Sequence, residues 1–195
     1  KTSPTSNIQH PTLVHPTLVS GIQPTGNLHL GNYLGALKQF VELQNSGKYE
    51  CLFFIADLHA LTESSNLQHL TSNIQHLMAT YLAAGLNPKK STLFVQSEIA
   101  AHTELAWIFE TLTPLGELHR MTQFKDKSAG EKSINAGLLA YPCLMAADIA
   151  LYGTSYVPVG DDQLQHLELT RAIVRRFNRR FGKTFTEPKA LVTEV

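Results

Sequence analysis

The sequence predicts an α/β fold of the doubly wound class, in which a parallel sheet lies between layers of helices. Short apolar runs typical of buried strands alternate with longer stretches in which apolar residues recur at helical spacing. Strands that alternate with helices are usually joined by right-handed crossovers and lie parallel in one sheet. The length of 195 residues is sufficient for one such domain with a substantial buried core.

Four strands are predicted from the short apolar runs. The run Cys-Leu-Phe-Phe-Ile-Ala at residues 51–56 is continuous, as expected for a strand that is covered on both faces. The four predicted strands are residues 18–22, 51–56, 92–96 and 156–159.

Five helical stretches are predicted between and after these strands. Apolar residues recur at helical spacing in the first stretch, as Leu37 and Val41 illustrate, and Gly85 is placed to end the second. Pro114 and Pro142 are expected to interrupt the third and the fourth stretches. The fifth stretch has a basic end. The predicted helical stretches are residues 32–44, 67–84, 102–122, 136–151 and 163–180.

The first segment of the chain differs in composition from the rest. Residues 1–16 are rich in Ser, Thr, Pro and Asn, which predicts a disordered leader. The sequence His-Pro-Thr-Leu-Val occurs twice in succession, at residues 10–14 and 15–19, and only the second copy adjoins the first predicted strand. We interpret the first copy as a small duplication without a chemical role.

Composition excludes several classes of protein. Lys and Arg together number 16, as do Asp and Glu, so no overall basic charge indicates that this segment alone binds RNA. Cys51 and Cys143 lie far apart in apolar runs and are expected to be reduced core thiols. The nine histidines show no metal-ligand spacing, so no protein-bound metal is predicted. No apolar run approaches the roughly 18 residues of a membrane span, and we expect a cytoplasmic protein with no membrane partner.

Polar residues that follow the predicted strands mark the expected ligand site. Open parallel sheets bind ligands at the carboxyl ends of their strands, near the point where the strand order reverses. Residues 23–32, 57–59 and 160–163 follow the first, second and fourth predicted strands. These three segments therefore contain the candidate functional residues.

The segment His-Leu-Gly-Asn at residues 29–32 stands at the start of a predicted helix. Gly26 and Gly31 allow the backbone to approach a ligand closely, and free amides at a helix N-terminus attract phosphate. His29 can donate a hydrogen bond to a phosphate oxygen. The glycine patterns of dinucleotide-binding and P-loop proteins do not occur in the chain. Taken alone, the segment could also be a glycine-containing connection with an exposed histidine.

Five sequence blocks together resemble the class I aminoacyl-tRNA synthetases, and the tryptophanyl-tRNA synthetases among them in particular. Residues 29–32 resemble the HIGH motif of that class, and Ser-Gly-Ile-Gln-Pro-Thr-Gly at 20–26 resembles the tryptophanyl family. Further matches are the blocks at 121–128, 141–148 and 157–166. All five occur in the family's order and approximate spacing.

The resemblance implies a two-step reaction. ATP, accompanied by Mg²⁺, would activate L-tryptophan to tryptophanyl-adenylate, and the tryptophanyl group would then pass to tRNA(Trp). Residues 17–195 are assigned on this basis to a nucleotide-binding catalytic domain that forms homodimers. The family's KMSKS loop and helical anticodon-binding domain do not occur in these residues. We therefore expect an incomplete catalytic domain that binds tryptophan but activates it poorly.

The resemblance also implies roles on the ATP side of the site. His29 and Asn32 would contact the ATP phosphates, although the family often carries Thr in place of this histidine. Lys127 and Lys125 would neutralise the departing pyrophosphate, or else form an ordinary charged surface. Gly160 and Asp162 would contact the adenosine, and the neighbouring acid at 161 is expected to point outward. The implied ATP-binding residues are Gln23, Thr25, Gly26, His29, Gly31, Asn32, Gly160, Asp162 and Gln163.

Asp148 is the predicted specificity residue for tryptophan. Indole offers one N–H donor and no acceptor, so a selective pocket needs a buried acceptor. Asp148 lies in an otherwise apolar helical stretch, where a lone acid is costly unless it is paired. It could instead be paired with a core donor or lie at a helix surface. Tyr141, Met145 and Asp148 share one helical face. The implied tryptophan-binding residues are Asp148, Tyr141, Met145, Gln163, Val159 and His59.

Several assignments remain open. Gln163 and Tyr141 would address the ammonium and carboxylate groups of the amino acid, whereas His59 could be a loop histidine without a ligand role. His166 is expected to be structural, and four further histidines, including His102, are unassigned. The apolar stretch at 105–109 could form a dimer contact or belong to the core. The alternative functions are a tyrosyl-tRNA synthetase, a non-catalytic binding module derived from a synthetase, and another nucleotidyltransferase of the same superfamily.

Overall fold

The computed structural model describes residues 15–24, 36–62, 67–130, 133–160 and 163–192. Predictions for the leader up to residue 14 fall outside the described residues. The predictions for the phosphate-binding turn and for one residue expected to contact the adenosine also fall outside them. The candidate site residues in this position are Thr25, Gly26, His29, Gly31, Asn32 and Asp162.

A five-stranded parallel sheet forms the centre of the domain. Its strands lie in the order β3-β2-β1-β4-β5, and every neighbouring pair is parallel. This topology confirms the predicted α/β, doubly wound class. The strands are β1 (Thr17–Ile22), β2 (Glu50–Ile55), β3 (Ser91–Val95), β4 (Tyr156–Val159) and β5 (Lys189–Val192).

The first four strands confirm the predicted ones to within one residue at each end. Strand β5 was not predicted, because it begins with a lysine and its apolar run of three residues is too short to be distinguished from a loop. Its register is set by pairing with β4, in which Val157 lies opposite Ala190. A tertiary contact therefore defines this strand.

Helices connect the strands and cover both faces of the sheet. None of the described helices combines the length and the apolar character needed to cross a bilayer. Short 3₁₀ turns at Leu67–His69 and Gln96–Glu98 precede two of the helical segments. The helices are α1 (Lys38–Ser46), α2 (Asp57–Ala60), α3 (Leu70–Ala83), α4 (Ala101–Glu110), α5 (Leu115–Leu118), α6 (Thr122–Ser128), α7 (Ala136–Ala150) and α8 (Leu164–Phe181).

Of the three residues predicted to end or interrupt helices, two do so and one does not. Gly85 follows α3 with a φ of 109°, a left-handed conformation that suits glycine at the end of a helix. Pro114 separates α4 from α5, as predicted. The prediction for Pro142 was wrong, because α7 runs through it without a break. Proline removes only the hydrogen bond to the carbonyl of Leu138, and packing of α7 against α4 and α8 holds the helix together.

The described core comprises one cluster on one face of the sheet, two on the other face and a fourth among the helices. Leu18 and Phe53 pack against α1 and α3, where the Phe40 and Phe53 rings stack with centroids 4.4 Å apart. Val157 and its neighbours on the opposite face pack against α7 and α8. Alternation of side chains along each strand produces this division.

Both cysteines lie in the core. Cys51 and Cys143 are buried free thiols, which confirms the prediction that they are reduced. Burial raises the pKa of each thiol to about 11. Neither thiol is therefore ionised near neutral pH.

The strand order locates the expected ligand crevice. Strand β1 pairs with β2 on one side and with β4 on the other, so the order reverses at β1. A crevice opens at the carboxyl ends of the two strands that flank such a reversal. The residues that follow β1 and β4 therefore border it.

Candidate active site

A cavity of about 340 Å³ lies at the carboxyl ends of β1 and β4. Residues from both strand ends, from α7 and from the segments after β2 and β4 line it. Its position is the one at which doubly wound sheets bind ligands. The predicted site residues that line it are Gln23, His59, Lys127, Tyr141, Met145, Asp148, Val159, Gly160 and Gln163.

Helix α6 carries the two candidate lysines, and they differ in position. Both lysines are exposed, but Lys127 lines the cavity and Lys125 is not among the lining residues. Within the described segments, no three metal-ligating side chains are grouped as a metal site. Among the described residues that line the cavity, Lys127 is the one lysine or arginine.

Helix α7 forms one wall of the cavity. Its N-cap is Asn135, whose side chain accepts a hydrogen bond from the backbone N–H of Leu138 at 2.8 Å. Tyr141, Met145 and Asp148 follow at intervals of four and three residues and all line the cavity, as their spacing led us to expect.

The hydroxyl of Tyr141 is held at the cavity wall by two partners. It donates to Oε1 of Gln123 at 3.1 Å and lies 2.7 Å from Nε2 of His166. Burial raises the pKa of Tyr141 to about 12, so the phenol keeps its proton near neutral pH. His166 is itself buried and does not line the cavity, which agrees with a structural role.

The carboxylate of Asp148 is almost completely buried and receives three hydrogen bonds. Its Oδ2 lies 2.7 Å from Nε2 of His59, and its Oδ1 lies 2.7 Å from Nδ1 of His102. Oδ1 also accepts from Nε2 of Gln96 at 2.8 Å. Burial by itself raises the pKa of Asp148, but the hydrogen bonds from His102 and His59 outweigh this effect and lower the pKa. The carboxylate is therefore ionised at neutral pH and acts only as an acceptor.

Counting lone pairs shows what this carboxylate can still bind. Two carboxylate oxygens offer about four acceptor positions, and Oδ1 already receives His102 and Gln96. The Gln96 amide is fixed because its Oε1 accepts the backbone N–H of Leu58 at 3.1 Å. Oδ2 receives only His59. One lone pair of Oδ2 therefore remains for a donor in the cavity, which both Asp148 and His59 line.

Two of the three partners of Asp148 were not predicted as site residues. Gln96 directly follows β3, but it was predicted as the last residue of that strand, so the rule for residues that follow strands did not reach it. His102 lies on α4 and is completely buried. Nothing in its sequence neighbourhood distinguishes it from the other unassigned histidines.

The floor of the cavity depends on the absence of a side chain at Gly21. A Cβ atom there would lie 2.7 Å from the ring of Phe54, closer than van der Waals contact allows. Gly21 and Phe54 face each other in the register of β1 and β2, and Phe94 follows on β3. The Phe54 and Phe94 rings stack with centroids 5.5 Å apart. Glycine thus allows an aromatic surface to extend beneath the cavity.

The fold and the cavity define a doubly wound α/β domain with an acceptor carboxylate in its ligand crevice. A family model described as tRNA synthetases class I (W and Y) matches residues 13–195. The chain belongs to this family of aminoacyl-tRNA ligases.

Curated relatives share more than half of the aligned residues. The tryptophan–tRNA ligase of Caldanaerobacter subterraneus subsp. tengcongensis is 57% identical over 173 residues, which are 89% of this chain and 52% of the relative. The tryptophan–tRNA ligase of Oceanobacillus iheyensis is 55% identical over 179 residues, 92% of this chain and 54% of the relative. The chain thus spans about half the length of the curated relatives it matches.

A solved structure shares the fold closely. The tryptophanyl-tRNA synthetase of Campylobacter jejuni, complexed with ADP and tryptophan, superposes with a TM-score of 0.85 at 43% identity. The superposition covers 91% of this chain and 55% of that protein. The similarity therefore extends over nearly all of the present domain.

Proposed function

We propose that the protein containing this chain activates L-tryptophan with ATP and transfers the tryptophanyl group to tRNA(Trp). Residues 17–195 would supply the nucleotide-binding catalytic domain. The observation that carries the proposal is the buried Asp148 carboxylate, which lines the cavity with one lone pair left for a donor. The names of the curated relatives favour tryptophan over tyrosine as the substrate.

Tryptophan recognition would depend on the single donor of the indole ring. The ring N–H would donate to Oδ2 of Asp148, beside the bond from His59. Met145 and Val159 line the cavity and offer apolar surface to the ring. Tyr141 and Gln163 would address the carboxylate and ammonium groups. A ligand that lacks the N–H would leave the buried acceptor without a donor. This loss is the basis for selectivity.

ATP would occupy the part of the crevice that Gln23, Gly160 and Gln163 border. Resemblance to the family assigns further contacts to Thr25, Gly26, His29, Gly31, Asn32 and Asp162. Mg²⁺ would enter as its complex with ATP, because this ion prefers phosphate oxygens and water as ligands.

The first chemical step would be an attack of the tryptophan carboxylate on the α-phosphorus. A bond forms between a carboxylate oxygen and this phosphorus, and pyrophosphate leaves with the electrons of the broken P–O bond. The ammonium of Lys127, with that of Lys125 on the same helix, would stabilise the negative charge on the leaving group. Positioning of the two substrates would supply much of the remaining rate increase.

A homodimer contact is proposed on α4. Trp107 is 67% exposed and Ile108 is 42% exposed, whereas Leu105 and Phe109 lie in the core. Trp107 borders a groove of about 300 Å³ that Leu61 also lines. Exposed apolar surface of this kind favours association. We therefore propose that only the outer part of the stretch at 105–109 contacts a second copy of the chain.

The proposed specificity can be tested by calorimetric titration of the 195-residue chain with L-tryptophan and with L-tyrosine. We expect saturable binding of tryptophan and none of tyrosine. Asp148→Asn should weaken tryptophan binding by about 1.5–3 kcal/mol, the range for hydrogen bonds to charged groups. Asp57→Asn is a matched control, because Asp57 is also a buried acid but does not line the cavity.

Two results would overturn the proposal. Equal binding of tyrosine and tryptophan by the folded chain would remove the assigned specificity. Wild-type affinity in Asp148→Asn would show that the carboxylate does not receive the indole N–H.

A further inference from the structure

A chain of hydrogen bonds extends from Asp148 away from the cavity and ends at Tyr152. Nδ1 of His102 lies 2.7 Å from Oδ1 of Asp148, and Nε2 of the same ring lies 2.8 Å from the Tyr152 hydroxyl. Tyr152 stands one helical turn after Asp148, just beyond the end of α7. Neither His102 nor Tyr152 lines the cavity, so neither can contact a ligand bound there.

The direction of these hydrogen bonds follows from what each group can donate. An ionised carboxylate only accepts, so Nδ1 of His102 must carry a proton. Nε2 of a neutral ring then accepts, and the Tyr152 hydroxyl donates to it. Burial, together with the charge of Asp148, raises the pKa of Tyr152 to about 12, so its hydroxyl proton is retained. Tyr152 thereby selects the tautomer of His102 that donates to Asp148.

Aromatic rings enclose His102 and limit its movement. Its ring centroid lies 6.1 Å from that of Phe54, 6.0 Å from that of Phe94 and 5.6 Å from that of Tyr152. Packing alone fixes where the imidazole lies, but it does not distinguish the two nitrogens. The hydrogen bonds at opposite edges fix its orientation, and through it the plane of the Asp148 carboxylate.

We propose that His102 and Tyr152 are positioning residues that aim the remaining Oδ2 lone pair of Asp148 at a ring N–H in the cavity. They would therefore set the preference for a ligand that carries this donor over a ligand of the same shape without it. The inference rests on the proposed function, because it takes an indole ring as the occupant. It adds that selectivity depends on groups that never touch the ligand.

The test compares L-tryptophan with β-(3-benzothienyl)-L-alanine, in which sulfur replaces the ring N–H. Dissociation constants for both ligands are measured on the wild-type chain and on Tyr152→Phe. This substitution keeps the ring that packs against Phe94 and His102 and removes only the hydroxyl. We expect tryptophan affinity to fall about fivefold, as loss of one net hydrogen bond predicts, with analogue affinity unchanged. The ratio of the two affinities should fall by the same factor.

His102→Asn provides a second variant and a coupling measurement. The Asn amide can still donate toward Asp148 but cannot reach Tyr152, so the ratio should fall as in Tyr152→Phe. Because both substitutions break the same hydrogen bond, the double variant should lose no more than either single variant. Tyr156→Phe is the control. Tyr156 is at the amino end of β4, whereas the cavity is at the carboxyl end, and it lines neither the cavity nor the groove beside Trp107.

Three outcomes distinguish the proposals. A lower ratio of tryptophan affinity to analogue affinity in Tyr152→Phe or His102→Asn, with normal thermal unfolding, supports the positioning role. Equal weakening of both ligands, with the ratio unchanged, overturns it and leaves only a structural role for the pair. Failure of the wild-type chain to prefer tryptophan over the analogue would instead overturn the assignment of Asp148 itself.

Discussion

Asp148 combines a stability role with its proposed binding role. A buried carboxylate is costly unless donors replace its hydration, and here His59, His102 and Gln96 supply three hydrogen bonds. The sequence analysis left two explanations open for this residue, a ligand acceptor or an acid paired with core donors. The pairing exists, and it still leaves one acceptor position at the cavity. The two explanations are therefore compatible.

Protonation of Asp148 should destabilise the fold at acid pH. Because its pKa is lower in the folded chain than in the unfolded chain, the unfolded state binds more protons as the pH falls. The carboxylate's contribution is complete above the unfolded-state pKa of about 4 and is lost as the pH falls through the folded-state pKa. We expect urea unfolding at about pH 5 to show a larger free-energy difference between wild type and Asp148→Asn than unfolding at about pH 3. A difference that does not change between these pH values would contradict the assigned pKa direction.

Among the elements, α7 contributes most to the proposed tryptophan site. It carries Tyr141, Met145 and Asp148 on one face, and it packs against α4 and α8 on others. Its helical character and face were predictable from spacing. Its continuity through Pro142 was not, because proline predicts a break locally and only the packing of neighbouring helices overrides that tendency.

The N-cap of α7 should contribute measurably to stability. Asn135→Ala removes the acceptor for the Leu138 N–H, and loss of an N-cap side chain costs about 1 kcal/mol. We expect urea denaturation to show this decrease in the free energy of unfolding.

Asn135→Asp separates the cap from a second contact of the same side chain. The Asn135 amide also donates to the carbonyl of Thr62 at 3.0 Å. Aspartate keeps the capping acceptor but loses this donor. Asn135→Asp should therefore retain most of the free energy of unfolding that Asn135→Ala loses. Equal losses in the two variants would assign the effect to the Thr62 contact instead.

At the scale of the whole molecule, the sheet brings distant segments of the chain to one crevice. Residues after β1, β2 and β4 meet residues of α7 there, although 140 positions separate Gln23 from Gln163 in the 195-residue sequence. The exposed apolar groove beside Trp107 is the other large-scale feature of the described surface. Tyr141 and Thr62 line both the cavity and this groove.

The proposed dimer predicts a change in association when Trp107 is altered. Trp107→Glu places a charge in the apolar contact, and loss of a central aromatic residue costs about 2 kcal/mol or more at an interface. We expect sedimentation velocity to show dimers for the wild-type chain and mostly monomers for the variant.

Leu82→Glu is the matched control for this prediction. Leu82 is 47% exposed on α3 and does not line the groove, so its variant should remain dimeric. Trp107 is also the single tryptophan of the chain, so its fluorescence reports burial at this position directly. A wild-type chain that stays monomeric at all concentrations would exclude the contact.

The sequence by itself determined the fold class, four of the five described strands and the cavity-lining positions that follow β1, β2 and β4. These features depend on local periodicity and on residues adjacent to strand ends, which a single sequence records. The shared face of Tyr141, Met145 and Asp148 follows from helical spacing alone.

Only the tertiary structure decided how Asp148 is held. Gln96, His102 and His59 come from three different segments and converge on one carboxylate, and no local pattern encodes their convergence. The same holds for β5, which is a strand because β4 lies beside it, and for Pro142, which neighbouring helices keep within α7. In each case a contact between residues distant in sequence supplies the free energy that local preference does not.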